Sequence, residues 1–445
     1  MMNSKTVVPL EVFPSSKLRG AIRAPGDKSI SHRALILAAL ATGRSRLTGL
    51  LMSDDVRGTV DALMKFGIRV TRSDGDSVFV DGAGIAGFME PSGAIDLGNS
   101  GTAARLLMGV AAGNPIRAIF VGDKSLSSRP MGRVITPLRQ MGASITVAEN
   151  GGLPTTVQGA EPLLPMNYRL PVASAQVKSA ILLAGLHAPG TTSVTEATET
   201  RDHTEKLLEK FGADVRIEVI GGERRISVVG QPELFAQEVS IVGDPSSAAF
   251  PLVAALVTRG SEICVEGVGV NKTRTGLFDC LRQMGADLEI ISRGIVCGEP
   301  IADITARSSS LKGIEVPADR VPRMVDEYPI LAVAAARAEG ETVMHGLGEL
   351  RVKESNRLAS IIEGLVNCGV KVQESGDTIT ITGTEDIEVS QKPAEISTYG
   401  DHRIAMAFTV MGLASRKALI IDDMSMVGTS YPGFTKDMAE LGAAI

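Results

Sequence analysis

Two acidic positions are natural candidates for moving protons. Asp326, followed by Glu327, leads into the apolar run "YPILAVAAA", and Glu354, preceded by Lys353, leads into another helical segment with Arg357 one turn on. A carboxylate held beside Lys or Arg can act as a general acid or base. By residue type alone, Lys353 and Glu354 read first as an exposed ion pair. Cations make up the other half of the pattern. In "APGDKSISHRALILAALATG", Lys28, Ser29, His32 and Arg33 share one helical arc opposite Ile30, Ala34, Leu37 and Ala38. That arc is either an anion-binding face or a solvated one.

The same stretch looks like half of a nucleotide P-loop, but Asp27 separates Gly26 from Lys28. An acidic side chain inside such a nest repels the phosphates it should hold, so ATP fits poorly. A helix N-terminus carrying Lys and Ser still favours anions. In "LGNSGTAARL", Gly98 and Gly101 flank Asn99 and Ser100, and glycine there permits close approach by a ligand or tight packing. Arg129 precedes Pro130, a proline suited to a first helical position, and arginine makes bidentate contacts to carboxylate or phosphate. Ser174, Ala175 and Gln176 offer hydroxyl, backbone and amide groups.

These residues gather at helix starts. Six apolar segments begin "DKSISHR", "NSGTAAR", "SAQVKSA", "DPSSAAF", "DEYPILA" and "DHRIAMA", and further helices begin "SSRPMGR", "TRDHTEK" and "RVKESNR". Capping explains the Asp and Ser, and fully explains Asp244 with Pro245. It does not explain the arginines, because a cation at a helix N-terminus is unfavourable without a compensating anion. The expected result is a cleft for ligands with several negative charges.

The positioning elements repeat. A helix, then an apolar residue and glycine, then a strand recurs around Gly67, Gly142, Gly212, Gly285, Gly369 and Gly442, at intervals of roughly 70 to 84 residues. Each glycine suits a left-handed C-cap. Ahead of each lies an Ala/Leu-rich helix without a polar face, of the kind that is buried. Six α/β units group as two domains of three: 23–244, and 1–22 with 245–445, hinged near 20–24 and 242–246.

Composition narrows the class. The 445 residues are 44% hydrophobic and 22% charged, as in ordinary globular proteins, with 3% aromatics and no tryptophan. A net charge of −6 argues against nonspecific nucleic-acid binding, and no apolar run reaches membrane-spanning length. Cys264, Cys280, Cys297 and Cys368 lack CxxC spacing and read as reduced, buried thiols of a cytosolic protein. The five histidines include no HxH or HExxH arrangement, so no metal site is expected. The N-terminal "MMNSKTVVPLEVFPSSK" has neither a signal-peptide core nor a transit pattern.

The segments "PGDKSISHR", "LGNSGTAARL", "SSRPMGR", "VASAQVKSAILLAGL", "TRDHTEK", "DEYPILA", "RVKESNRL" and "GDHRIAMA", in this order and across nearly the whole chain, resemble the 5-enolpyruvylshikimate-3-phosphate (EPSP) synthase family. Its bacterial class II-like branch is the one that writes "TRDHTEK" and "ASAQVKSA". The resemblance implies two inside-out α/β domains of three repeats with buried parallel helices, closing around the substrates. It implies transfer of the enolpyruvyl group of phosphoenolpyruvate to the 5-hydroxyl of shikimate 3-phosphate, releasing phosphate, in aromatic amino-acid biosynthesis. No metal or cofactor, a monomer, and a cytoplasmic location are expected, with small molecules as the partners and neither nucleic acid nor membrane.

Carried over by residue, Lys28, Ser29, Arg33, Ser174, Ala175, Gln176, Arg201, Asp326 and Lys353 would hold shikimate 3-phosphate. Lys28, Gly101, Arg129, Gln176, Arg357 and Arg403 would grip phosphoenolpyruvate. Asp326 would take the 5-hydroxyl proton, Glu354 would protonate C3, and Lys28 would share proton duties. Gly101 leaves space that favours sensitivity to glyphosate, a phosphoenolpyruvate-competitive inhibitor of the family. Asn356 stands where the family usually has Asp, removing a charge. Where another branch has Lys before a "TFP"-like stretch, this chain has Thr429 and Ser430; that phosphate contact is absent, or Lys436 supplies it. The related UDP-N-acetylglucosamine enolpyruvyl transferase is the alternative enzyme, but the loop "GNPIRAIFVGDKSLSSRP" lacks that family's reactive cysteine. A catalytically silent anion-binding scaffold is the alternative from outside enzymes, and retention of Asp326 and Glu354 speaks against it.

Overall fold

Six helices carry the apolar runs: α1 (Lys28–Leu40), α2 (Gly101–Ala112), α3 (Ala175–Gly185), α4 (Pro245–Val257), α5 (Tyr328–Ala336) and α6 (His402–Ala414). A helix without a polar stripe must be covered on every side. Two show it most fully: every residue of α5 is buried, as is all of α4 except Val257. The computed structural model describes residues 7–73, 76–384 and 393–445; the N-terminal stretch read above for a leader begins in residues 1–6, outside them.

A buried helix start needs partners for its orphan N–H groups. Asp27, Ser100, Ser174, Asp244 and Asp401 each accept from a backbone N–H two or three residues on, contributions of about 1 kcal/mol each. Pro245 opens α4 as expected. The half-buried helices Asp54–Lys65, Gly132–Gln140, His203–Phe211, Gly276–Gln283, Arg357–Asn367 and Phe434–Glu440 run into Gly67, Gly142, Gly212, Gly285, Gly369 and Gly442. All six glycines have φ between +81° and +112°, the left-handed turn that glycine adopts without Cβ strain.

Five four-stranded sheets share one strand order. In the first, Glu238–Ser240 lies parallel to Thr42–Thr48, which pairs antiparallel with Ser77–Ala83, and that with Arg69–Arg72. The sixth sheet has three strands: Leu10–Val12 runs antiparallel to Leu419–Ile421, beside Ala394–Ile396. Arg19–Arg23 pairs parallel with Glu262–Gly269, so both N-terminal strands complete sheets of the C-terminal half.

The chain forms two compact units, 26–241 with 295–299, and 1–25 with 242–294 and 300–445. The excursion 295–299 goes with the first unit because Cys297 Sγ accepts from the Ser240 N–H, and Glu299 meets His203 and Lys206. Cys280 and Cys368 are buried, but Cys264 and Cys297 are only half-buried, which corrects the reading of four buried thiols. Cys297 occupies a left-handed turn position, φ +51°, beside Gly298 at +80°. Among the described residues, no helix is long and apolar enough to cross a membrane.

Candidate active site

In the first unit, the arc on α1 is not a solvated face. His32 is fully buried and Arg33 is 3% exposed. His32 Nδ1 lies 2.7 Å from Thr59 Oγ1, and burial, then Lys28 and Arg33, push its pKa down to about 3, so the ring is neutral. Arg33 reaches across to α3 and the next helix: Nε donates to Thr204 Oγ1, Nη2 to Ser179 Oγ, and Nη1 to the Ser29 carbonyl. Ser179 Oγ in turn donates to the Ala175 carbonyl at 2.6 Å. Ser29, Arg33 and Ala175 are thereby held together. Lys28 Nζ sits 2.9 Å from Asp55 Oδ2.

The supports beneath Arg33 are fixed by a buried charge cluster. Lys178 Nζ lies 2.7 Å from Glu205 Oε1 and 3.1 Å from Glu196 Oε2, all three side chains closed to solvent. Burial pushes the Glu205 carboxyl up, against the opposing pull of Lys178. Lys178 and Glu205 adjoin Ser179 and Thr204 in sequence, so the cluster locks the two helices that present the Arg33 acceptors.

A second set collects around the start of α2. Gln176 Nε2 donates to Thr102 Oγ1, and its Oε1 accepts from Arg105 Nη1, both at 2.8 Å. Arg105 also donates to the Gly101 carbonyl. A Cβ on Gly101 would lie 2.7 Å from Arg105 Nη1 and 3.0 Å from Arg129 Nη1, so the space beside Gly101 is taken by two guanidinium tips. Arg129 is 8% exposed and donates to Asn99 Oδ1, while Asn99 donates to Asp123. Gly101, Arg129 and Gln176 thus share one cluster. Pro130 does not begin a helix: Arg129 closes the short helix Lys124–Ser128 in extended backbone, and the next starts at Gly132, because a residue before proline is driven from helical geometry. Ser174 caps α3, and half-buried Arg201 lies two residues before the helix His203–Phe211.

In the second unit, Arg357 organises the site. Its fully buried guanidinium donates Nε to Asp401 Oδ2 at 2.9 Å and Nη2 to Asp401 Oδ1 at 3.3 Å. Nη1 reaches Asp326 Oδ1 at 3.3 Å, and Nη2 reaches Glu354 Oε2 at 2.5 Å. Burial works against the cation, but Asp401, Glu354 and Asp326 outweigh it and hold its pKa above the ordinary arginine value. Arg403 Nη1 donates to the Asp326 carbonyl, and Nη2 lies 3.8 Å from the Asp326 carboxylate. Asp326 and Glu354, each with a side chain 18% exposed, therefore keep access to solvent while sharing one buried cation. Neither Glu354 nor Lys353 is exposed: both are half-buried, Lys353 at the end of the 3-10 turn Leu347–Val352.

Comparison with known proteins bears on both units. The family model described as EPSP synthase (3-phosphoshikimate 1-carboxyvinyltransferase) matches residues 12–438. The chain belongs to the EPSP synthase family. It is 53% identical over 438 residues to the 3-phosphoshikimate 1-carboxyvinyltransferase of Parvibaculum lavamentivorans, covering 98% of this chain and 96% of the relative. It is also 53% identical to that of Paramagnetospirillum magneticum, covering 98% of each. An EPSP synthase structure from Acinetobacter baumannii superposes with a TM-score of 0.84 at 42% identity, covering 98% of each chain. The α/β architecture and the assignment as a transferase of this family stand on these matches.

The sequence pattern missed three partners. Asp401 reads as a plain cap because its N-cap role, accepting from Arg403 N–H, hides its second role on Arg357, 44 residues away. Arg105 carries no distinguishing signal within "LGNSGTAARL", and Asp55 lies in an ordinary acidic first turn. Asn356 caps the helix Arg357–Asn367 by accepting from Ala359 N–H, which preserves the structural role Asp would have there. Lys436 is exposed and 3.7 Å from Glu440, while Thr429 Oγ1 donates to the Met426 carbonyl. Among the described residues, Asp202, His203 and Glu299 are spaced as metal ligands could be, but Lys206 Nζ already supplies a cation 3.2 Å from Asp202 and 3.3 Å from Glu299.

Proposed function

We propose that this chain transfers the enolpyruvyl group of phosphoenolpyruvate to the 5-hydroxyl of shikimate 3-phosphate, and that Asp326 and Glu354 carry the protons. The observation that supports these roles is the single buried guanidinium of Arg357 shared by two accessible carboxylates. In the first half, Glu354 gives a proton to C3 of phosphoenolpyruvate, the substrate O5 bonds to C2, and Asp326 takes the O5 proton. In the second, Glu354 removes a proton from C3, the C2=C3 double bond re-forms, the C2–O bond to phosphate breaks, and the departing phosphate takes the proton held by Asp326. Fixed cations suit the phosphate as its charge develops, and Arg357, Arg403, Lys28 and Arg129 fill that role, with the Gln176 amide as a neutral donor. The addition–elimination itself calls on no metal or organic cofactor.

Lys28, Ser29, Arg33, Ser174, Ala175, Gln176, Arg201 and Lys353 hold shikimate 3-phosphate in this reading. Arg33 brings a rigid fork, since Ser179, Thr204 and the Ser29 carbonyl fix its plane. Gly101 admits the guanidinium tips of Arg105 and Arg129, of which Arg129 faces phosphoenolpyruvate in this reading. We place the protein in the cytoplasm as a monomer. The test is phosphate release by purified protein. Release that requires both phosphoenolpyruvate and shikimate 3-phosphate, and falls at least a hundredfold in Asp326→Ala, is the expected result. Release with UDP-N-acetylglucosamine in place of shikimate 3-phosphate would overturn the assignment.

A further inference from the structure

The C-terminal ends of α4, α5 and α6, the ends away from the catalytic carboxylates, border a cavity of about 430 Å³ within the second unit. In four other repeats the last strand packs closely on this pole. A Cβ added to Gly82, Gly159, Gly230 or Gly383 would lie 2.2, 1.8, 1.8 or 1.9 Å from a carbonyl oxygen at the helix end, so glycine alone lets the last strand press there. Ser308 holds the matching place after the strand Glu299–Arg307. Its N–H donates to the Ser261 carbonyl, as Gly159 does to Ile116, Gly230 to Gly190 and Gly383 to Gly340. The next N–H, of Ser309, donates to Leu256, as Ala160 does to Ala112, Gln231 to Leu186 and Thr384 to Ala336. Ser308 thus puts a side chain where those four repeats have none, and the cavity lies there, lined by Ser308, Ser309 and Ser310.

Its charge is one-sided. Arg259, Arg337 and Arg416 line it, and no Asp or Glu is among the lining residues. Arg259 is exposed and makes no ion pair with a described residue. Cations do stabilise helix C-termini, yet α1, α2 and α3 end without an arginine in the next two residues, so the fold does not demand them. The volume lies in the range of small-molecule sites and exceeds what a bare oxyanion fills.

We propose that this cavity binds a small hydroxylated organic anion, its phosphate or carboxylate held by Arg259 with Arg337 and Arg416, and its hydroxyls by the serine row ending at Ser310. The proposal is independent of the reaction assigned above. The test uses crystals of the full chain soaked in glycerol 3-phosphate, in glycerate, and in glycerol as the neutral control, with titration of both anions in solution. The expected result is either anion seated between Arg259 and Ser310, no glycerol there, and at least tenfold weaker binding in Arg259→Gln and in Ser308→Gly, which removes a lining hydroxyl. Phosphate release should be unchanged in both variants. Anion density confined to the Lys28, Arg129 or Arg357 clusters, glycerol occupying the cavity equally well, or affinity unaltered by Arg259→Gln overturns it.

Discussion

Arg357 shows how much one residue can be asked to hold. Bidentate Asp401 fixes the guanidinium from within through Nε and Nη2, while Nη1 serves Asp326 and Nη2 is shared with Glu354. A buried cation without such partners is costly by several kcal/mol, so Asp401 is as necessary to the arrangement as the arginine. Asn356 is the departure from the family pattern closest to this centre. Since Asn and Asp cap helices about equally well, and the Asn356 side chain already bonds the Ala359 N–H, Asn356→Asp is expected to leave kcat within about threefold of the parent. A steady-state assay at pH 7 checks it; a change of tenfold or more would give the missing charge a part in proton transfer. Arg357, Asp326 and Glu354 were legible as residue types at helix starts. Their mutual geometry was not, because Asp326 and Asp401 lie 31 and 44 positions from Arg357, and nothing in a linear pattern pairs them.

The elements were legible where composition left no alternative. Helices with no polar face had to be buried, and the six glycines after the outer helices had to turn left-handed; both hold. The five-residue helix Lys124–Ser128 is too short to show a period, so in the sequence Arg129 reads as a helix start although it closes a helix. The buried charges of α1 and α3 also escaped the reading, since Lys178 looks like any surface lysine until Glu196 and Glu205 close around it. Packing of α1 has a consequence for acid stability. His32 binds its proton at pH 6.5 when unfolded but only near pH 3 when folded, and His187, lowered by burial to about 4, behaves alike. Between those values the unfolded chain holds more protons, so stability is present above about pH 6.5 and is lost as pH falls. Each group contributes a slope of at most about 1.4 kcal/mol per pH unit. Urea unfolding at pH 7, 6, 5 and 4 should show this decline, and His32→Asn should flatten it; an unchanged slope would remove His32 from the explanation.

At the scale of the whole molecule, repetition was the most readable property. A small module of helices and sheet needs neighbours to cover its faces, and six such modules resolve into two units of three sheets each. The return of the N-terminal strands is physical bookkeeping of sheet edges: Leu10–Val12 and Arg19–Arg23 supply strands that the fourth and sixth repeats lack. The excursion of 295–299 was not readable, because it depends on Glu299 meeting His203 and Lys206 rather than on any periodic signal. The central claim is that the molecule joins its substrates by protonating C3 of phosphoenolpyruvate and later deprotonating it. Turnover in deuterium oxide tests this most directly, with mass spectrometry of the product's vinyl group. The account predicts deuterium at C3 in most product molecules, with the product and its label both lost in Glu354→Gln; product formed at the normal rate with no deuterium at C3 would contradict it.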